Sequence, residues 1–265
     1  MDNRPIGIFD SGLGGLTVVK EIKKILPNEQ IIYLGDTARV PYGTRGKETV
    51  IRFALEDALF LTKFKIKCLV IACNTASAFA YQEVAKMVGI PVIDMIIPGS
   101  TGALRDGKTK KIAVIGTKGA IDSNAYKSAL KKKSRSATIY QIRCPLFVPL
   151  IEEGEISGKL IKLVAVKYLS PLKKLNIDTL IMGCTHYPII KNIIKCEVGS
   201  NVKLINPGAE AAVYLRKHLL KNNSLSELKK ADDKYFLTDL SCNFIYVAEK
   251  YLGEKISDKI RMASL

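Results

Sequence analysis

Two seven-residue stretches of the chain decide its fold. Residues 69–75 read LVIACNT and residues 180–186 read LIMGCTH. In each, a short apolar run ends at a cysteine and small polar residues follow, before a segment of helical length. A run bounded in this way predicts a buried β-strand that leads into a helix. Two copies in one chain predict two similar strand–helix units.

Other segments repeat in the same order. IGIFDSG at 6–12 resembles IAVIGTK at 112–118, and the pair Val40-Pro41 recurs as Val148-Pro149. Because the order of the repeated segments is the same in both halves, the sequence indicates an internal duplication. In open parallel sheets, ligands bind beyond the carboxyl ends of the strands, and the repeated residues lie at or near these ends. We therefore predict one cleft between two similar units.

Strand-length and helix-length segments alternate along the chain, which predicts an α/β fold with two similar domains of mostly parallel sheet, related by a pseudo-two-fold axis. The predicted strands are 5–10, 30–34, 67–73, 91–94, 111–116, 137–142, 178–183 and 202–206. The predicted helices are 14–26, 46–64, 76–88, 120–132, 157–174, 188–195, 208–220 and 241–252, with a polar loop at 221–233. The first domain comprises residues 1–97 plus 208–265, and the second comprises 98–207.

The composition limits the classes of partner. The formal net charge is +16, with 41 basic and 25 acidic residues. Such a charge can indicate a nucleic-acid partner. However, the lysines are scattered, and neither a nucleic-acid motif nor interleaved aromatic residues accompany them, which favours a solvated lysine-rich surface.

Apolar runs and cysteine spacing indicate a cytoplasmic protein. We find no apolar stretch long enough to span a membrane and no signal peptide ahead of Ile6. The six cysteines form no CxxC pair, which is typical of reduced thiols in a cytoplasmic protein. Four of them, Cys68, Cys144, Cys196 and Cys242, are interpreted as small packing residues.

Cys73 and Cys184 differ from the other cysteines because each follows a strand and precedes a helix. A helix N-terminus lowers the pKa of a thiol and makes it a better acid or base. Nucleophilic catalysis would pair one cysteine with one histidine. Two matched thiols suit removal of a proton from one face of a chiral carbon and its return to the other. The pair therefore favours racemisation or epimerisation.

Further polar residues lie near the predicted strand ends. Asp10 opens a glycine-rich turn that matches neither GxGxxG, because Thr17 takes the third glycine position, nor a P-loop. Asp10 could cap a helix, hold an ammonium or orient a cysteine. Asp36 and Tyr42-Gly43 lie in the loop after the second strand, and the remaining candidates are Glu152 and His186.

The sequence argues against two other uses of the cysteines, a zinc site and a phosphatase nucleophile. A zinc site could combine Cys184, His186, Cys73 and an aspartate, but the spacing matches no structural zinc pattern, so no metal is expected. A cysteine phosphatase would need an arginine soon after Cys73, and the segment that follows has none.

Five motifs, FDSGLGGLTV, GDTARVPYG, ACNTAS, GCTHYP and NPGAEAA, follow one another in order over nearly the whole chain. Together they resemble those of glutamate racemases in the aspartate/glutamate racemase superfamily. The resemblance implies interconversion of L- and D-glutamate without pyridoxal phosphate or another cofactor, a supply of D-glutamate for peptidoglycan, and a homodimer. It implies catalytic roles for Cys73, Cys184, Asp10, His186, Glu152 and Asp36. It implies a substrate site formed by Asp10, Ser11, Pro41, Tyr42, Gly43, Asn74, Thr75, Thr117, Thr185 and His186.

The sequence departs from the family pattern at a few positions. Ala120 stands where the family usually has a threonine, which bears on specificity, and Asn206 replaces a frequent aspartate. Some members have a longer N-terminus and are activated by a peptidoglycan precursor. With nine residues before Asp10, we do not expect that activation here.

Two alternatives stay open. One is a racemase or decarboxylase of the same superfamily that acts on aspartate or another small acid. The other is a basic protein that binds nucleic acid or a DNA-processing enzyme, with a vestigial site.

Overall fold

The computed structural model describes residues 1–107, 109–229, 232–240, 242–253 and 255–265, and the side chains of Cys242 and Asn243 are not among those described. The prediction for Cys242 therefore lies outside the described side chains. In chain order, the elements are β1 (Ile6–Asp10), α1 (Leu16–Ile25), β2 (Ile31–Gly35), α2 (Lys47–Thr62), β3 (Cys68–Ile71), α3 (Asn74–Val88), β4 (Val92–Ile93), α4 (Ile96–Leu104), β5 (Lys111–Gly116), α5 (Lys118–Asp122), α6 (Ala125–Lys133), β6 (Thr138–Arg143), α7 (Phe147–Glu152), α8 (Lys159–Lys173), β7 (Thr179–Gly183), α9 (Lys191–Val198), β8 (Lys203–Ile205), α10 (Pro207–Lys221), β9 (Lys234–Leu237), α11 (Cys242–Leu252) and β10 (Ile260–Met262).

The strands form two sheets, and all of their pairings are parallel. The first has the order β10-β9-β2-β1-β3-β4, and the second has the order β6-β5-β7-β8. The four strands common to both follow the same pattern, with the first strand of each unit between the second and the third. The predicted α/β class with two parallel sheets is confirmed. The repeats at 6–12 and 112–118, and at 69–75 and 180–186, contain equivalent strands, whereas Val40-Pro41 lies in a loop and Val148-Pro149 in α7.

Most of the strands are apolar, as is typical of parallel strands that are covered on both faces. β1, β2, β3 and β7 are buried along their whole length. One apolar cluster contains Ile8 and Val70 from the first sheet together with Ala113 and Met182 from the second. Because this core is shared, the ends of the two sheets are held against each other.

Several elements differ from the sequence prediction. The predicted helix 120–132 is two helices, α5 and α6, with Asn124 between them at a φ of 55°. The sequence also missed α4, α7, β9 and β10. α4 contains Pro98, Gly99 and Gly102, which are poor helix formers, so its position must come from packing on α10 and α6.

The segment that follows β8, which contains α10 and β9, packs on both units. α10 packs on α1 and on α4, and β9 pairs with β2 in the first sheet. The predicted boundary between residues 97 and 98 falls within α4, and the predicted domain limits stay a prediction. No helix in the described ranges is long and apolar enough to cross a membrane.

Candidate active site

A narrow cavity lies where the carboxyl ends of the two sheets face each other. It is lined by Ser11, Pro41, Tyr42, Gly43, Cys73, Asn74, Thr75, Thr117, Val148, Gly183, Cys184, Thr185 and His186. Both candidate cysteines and all predicted substrate-site residues except Asp10 are in its wall. Val148 and Gly183 are wall residues that the prediction did not include, although both lie within the repeated segments.

The two cysteines have different backbone settings. Cys73 follows β3 and immediately precedes α3, and its carbonyl accepts from the Ser77 amide. Cys184 follows β7, but the next helical element is a short 3-10 turn, Tyr187–Ile190, and α9 starts only at Lys191. The prediction that a helix starts directly after each cysteine is therefore correct for Cys73 and wrong for Cys184.

Cys73 is surrounded by groups that favour its neutral thiol. Burial and, next in importance, the nearby Asp10 carboxyl raise the pKa of Cys73 to about 12, although the Ala76 amide and Ser11 act in the opposite direction. The Sγ atom lies 3.9 Å from Ser11 Oγ. The expected lowering of this pKa by the helix N-terminus is thus outweighed by burial.

Cys184 lies beside a charged relay formed by His186 and Glu152. His186 Nδ1 is 3.8 Å from Cys184 Sγ, and its Nε2 is 2.6 Å from Glu152 Oε1. Burial alone would lower the pKa of His186, but its hydrogen bonds to Cys184 and Glu152 raise it well above the usual value. These hydrogen bonds favour the protonated form of His186, beside the sulfur of Cys184.

Asp10 connects the two units from behind the cavity wall. Its side chain is fully buried, one oxygen accepts from the amides of Gly12 and Gly15 at 3.2 and 3.0 Å, and the other accepts from Thr185 Oγ1 at 3.1 Å. Burial raises its pKa to about 6, with the charge of His186 as the main opposing influence. Asp10 thus holds the loop after Cys184 in place and, through its charge, favours the neutral thiol of Cys73.

Asp36 lies away from the cysteines. Its carboxylate accepts from the Tyr42 hydroxyl, from Arg39 Nε at 2.6 Å and from Thr238 Oγ1 at 2.9 Å. The structure therefore places Asp36 behind the loop that carries Tyr42 and Gly43. Thr238, which follows the unpredicted strand β9, supports this loop from the C-terminal part of the chain.

The hydroxyl and amide groups of the wall are held by partners that the sequence did not reveal. Thr75 Oγ1 and Thr117 Oγ1 are 2.8 Å apart across the cavity wall, and the Ala120 amide donates to Thr117 Oγ1 at 3.2 Å. The buried Tyr126 hydroxyl donates to Asn74 Oδ1 at 2.6 Å. Tyr126 has no sequence signal beyond an aromatic residue on an apolar helix face.

Glycines allow the loops of the two units to touch. A Cβ atom on Gly14 would lie 2.3 Å from Thr185 Oγ1 and 2.4 Å from His186 Nδ1. A Cβ atom on Gly43 would lie 2.4 Å from Thr117 Cβ. These contacts explain why the turns at both positions require glycine.

These features define the class: a two-unit α/β protein with a pair of thiols, each with its own polar neighbours, on one cavity between the units. Within the described residues, no group of three or more His, Cys, Asp or Glu side chains is arranged to hold a metal ion.

Comparison with known proteins gives the family. The family model for Asp/Glu/Hydantoin racemase matches residues 6–215, and the chain belongs to this family of isomerases. The chain is 45% identical to a glutamate racemase of Geobacter metallireducens over 256 residues, which is 96% of this chain and 95% of that protein.

Solved structures agree in sequence and in fold. A glutamate racemase of Francisella tularensis in complex with D-glutamate is 43% identical, with a TM-score of 0.93 over 100% of this chain and 98% of that one. A glutamate racemase isoform of Bacillus anthracis is 38% identical, with a TM-score of 0.95 over 100% and 99% of the two chains.

Proposed function

We propose that this protein interconverts L- and D-glutamate by a two-thiol acid–base mechanism that needs no cofactor. The observation that carries the proposal is the pair Cys73 and Cys184, one from each unit, in the wall of a single cavity. The similarity to glutamate racemases over nearly the full chain, one of them bound to D-glutamate, supports this substrate.

The cavity wall suits a small molecule with two carboxylates. Ser11, Asn74, Thr75, Thr117 and Thr185 contribute hydroxyl or amide groups to it, whereas Val148 is apolar. Hydrogen-bond donors fixed in a closed, poorly solvated site stabilise negative charge far better than water-exposed donors do. The charge that develops on the α-carboxylate when Cα loses its proton is stabilised in this way.

In the reaction, the substrate Cα lies between the two sulfur atoms. A thiolate on one side takes the α-proton and becomes a thiol, and the electron pair delocalises into the α-carboxylate. The thiol on the other side then donates its proton to the opposite face of Cα and becomes the thiolate. Protons and charge balance over one turnover, and the reverse direction exchanges the two roles.

The neighbours of the two thiols support unequal resting states. The pKa of about 12 of Cys73 favours its thiol. His186, with its raised pKa, stands beside Cys184; in its protonated form it can donate a proton to the Cys184 sulfur and, once neutral, take it back. Positioned acid–base groups of this kind contribute about 10²–10⁴-fold to a rate.

We also propose a role for this reaction in cell-wall synthesis. D-glutamate formed by this reaction would supply peptidoglycan synthesis in the cytoplasm, and the protein would act as a homodimer.

The test is to incubate the purified, pyridoxal-free protein with D-glutamate in D₂O. Loss of the α-proton signal by NMR, together with L-glutamate by chiral chromatography, is the expected result. Aspartate is tested in parallel, and turnover of aspartate alone would replace glutamate as the substrate. A folded protein that neither exchanges nor inverts either acid, but binds DNA in a salt-dependent way, would contradict the racemase proposal.

The two thiols are tested by separate substitutions. Cys73→Ala and Cys184→Ala should each nearly abolish inversion, because each removes the only acid or base on one face. Cys68→Ala, which changes a buried cysteine away from the cavity, is the matched control. Wild-type inversion by either of the two site variants would exclude the two-thiol mechanism.

A further inference from the structure

The loop of Pro41, Tyr42 and Gly43 is anchored by a buried acidic cluster outside the cavity. The Tyr42 hydroxyl contacts two carboxyl groups, Asp36 Oδ2 and, at 2.8 Å, Asp57 Oδ2. Asp36 belongs to the loop after β2, whereas Asp57 lies on α2. The side chains of Asp36 and Asp57 are fully buried, so solvent cannot satisfy them.

The three groups need two protons for their two hydrogen bonds. The Tyr42 phenol supplies one of these protons, and two ionised carboxylates supply none. A phenol hydroxyl has a single proton and can donate it to only one acceptor at a time. Two ionised carboxylates cannot both accept it, and close like charges in a buried site disfavour ionisation of both. One of the two carboxyl groups must therefore carry a proton of its own.

The hydrogen bonds identify which group carries that proton. Asp36 already accepts from Arg39 Nε at 2.6 Å and from Thr238 at 2.9 Å, which is the environment of an ionised carboxylate. Among the described residues, the contact of the Asp57 carboxyl group other than that to Tyr42 is a longer one, to Arg39 Nη2 at 3.3 Å. The proton therefore belongs on Asp57 Oδ2, from which it is donated to Tyr42 Oη.

We propose that Asp57 is a positioning residue of the racemase: it is a neutral carboxylic acid that donates to Tyr42, which donates to Asp36, and this chain fixes the 41–43 loop against the substrate. The proposal rests on the proposed function, since it concerns the wall of the same cavity. Nothing in the five sequence motifs points to Asp57, which lies on a helix with an otherwise ordinary sequence.

The position of the loop makes this anchor important for substrate binding. Tyr42 and Gly43 line the cavity, and Gly43 lies directly against Thr117 of the second unit. The phenol ring also packs on Phe53, at 5.5 Å between ring centroids. Because the opposite side of the loop is fixed by the hydroxyl, a change at Asp57 moves the wall while both cysteines and their neighbours remain in place.

The groups around Asp57 favour its neutral form. Burial and, next, the charge of Asp36 raise the pKa of Asp57 well above its usual value, while Tyr42 and Arg39 oppose this and Glu56 on the same helix adds to it. A rise of pH that ionises Asp57 would remove the donated proton and place a second negative charge beside Asp36. The KM of wild-type enzyme for glutamate should therefore rise on the alkaline side.

The experiment compares Asp57→Asn with Asp57→Ala, using kcat and KM for both enantiomers of glutamate as a function of pH. Asparagine keeps a neutral donor at this position, so kcat/KM near neutral pH should stay within about threefold of wild type, and the alkaline rise of KM should disappear. Alanine leaves the Tyr42 oxygen without its partner, and kcat/KM should fall about ten- to a hundredfold, mainly through KM. Glu48→Gln, on an exposed position of the same helix, is the matched control.

Other outcomes overturn the proposal. If Asp57→Asn is as impaired as Asp57→Ala, the residue is required as an anion, and if Asp57→Ala equals wild type, it does not position the loop.

An infrared difference spectrum between wild type and Asp57→Asn should contain the C=O band of a protonated carboxyl group, and its absence would also contradict the assignment. If Asp57→Ala does not fold, Tyr42→Phe replaces it, with the same expected rise in KM. A wild-type protein without glutamate turnover would instead refute the proposed function, while the infrared test would still apply.

Discussion

Removing the charge of Glu152 tests the relay that serves Cys184. The substitution Glu152→Gln keeps the size of the side chain and an oxygen acceptor for His186 Nε2, which is 2.6 Å away. Without the Glu152 charge, the pKa of His186 falls and its neutral form is favoured. Hydrogen bonds with a charged partner are worth about 1.5–3 kcal/mol, compared with about 0.5–1.5 kcal/mol for neutral ones. The difference is about 1–1.5 kcal/mol and is reduced by the 20% exposure of the Glu152 side chain.

Since about 1.4 kcal/mol corresponds to a factor of ten in rate, we expect Glu152→Gln to lower kcat/KM up to about tenfold. The assay is glutamate racemisation in both directions by circular dichroism. Because enantiomers have equal free energy, kcat/KM must fall by the same factor in both directions, which provides an internal check. Glu155→Gln, at an exposed position just after α7, is the control.

The pH dependence gives a second measurement of the same effect. The pKa of His186 is raised in the folded protein, so its pairing stabilises the fold below the unfolded pKa of about 6.5 and this stabilisation is lost as the pH rises through the folded pKa. The wild type and Glu152→Gln should therefore differ most in unfolding free energy near pH 6 and least at alkaline pH. Unchanged kcat/KM together with unchanged pH dependence of stability would refute the relay.

Three further substitutions have defined outcomes. Gly14→Ala forces a Cβ atom into the two residues that follow Cys184 and should lower kcat/KM more than tenfold, whereas Gly46→Ala, with no atom within 4 Å of its Cβ, should match wild type in racemisation assays. Tyr126→Phe leaves Asn74 Oδ1 without its donor, so steady-state kinetics should show KM for glutamate raised about five- to tenfold at a similar kcat; an unchanged KM would contradict this role. Burial raises the pKa of Asp94 to about 6, so wild-type stability from this group is present below about pH 4 and is lost as the pH rises to about 6. Asp94→Asn should accordingly shift the urea midpoint upward at pH 8 and have little effect at pH 4, and equal shifts at both would contradict the burial argument.

Much of the fold could be predicted because the repeated strands are apolar and short. Both ends of each of the eight strands in the two repeats were predicted to within two residues, and the common order of the strands follows from the duplication. β9 was missed because its four residues, from Lys234 to Leu237, directly follow a polar segment and form a strand by pairing with β2 and β10. α4 was missed because tertiary packing outweighs the low helix propensity of its proline and glycines.

The site was predictable to the extent that motifs follow the strands. Cys73, Cys184 and the hydroxyl-bearing residues beside them reach one cavity because parallel strands end at the same edge. Tyr126, which donates to Asn74, and Asp57, which contacts Tyr42, lie on helices away from these residues in sequence, and a single sequence contains no signal for such contacts. The different surroundings of the two thiols could not be predicted from the sequence either, because the burial of a side chain depends on the whole fold.

The strand order of the first sheet has a consequence for how the chain folds during synthesis. The second sheet is built from strands that follow one another between residues 111 and 205, so it can form as soon as this segment is available. The first sheet pairs β2 with β9, about two hundred residues later, and its outer strand lies beyond that. Contacts between such distant segments form slowly, and an unpaired strand edge is prone to aggregation. We therefore expect the β2 edge of the nascent chain to remain open until β9 emerges, which makes it the part of the molecule that most needs protection before folding is complete.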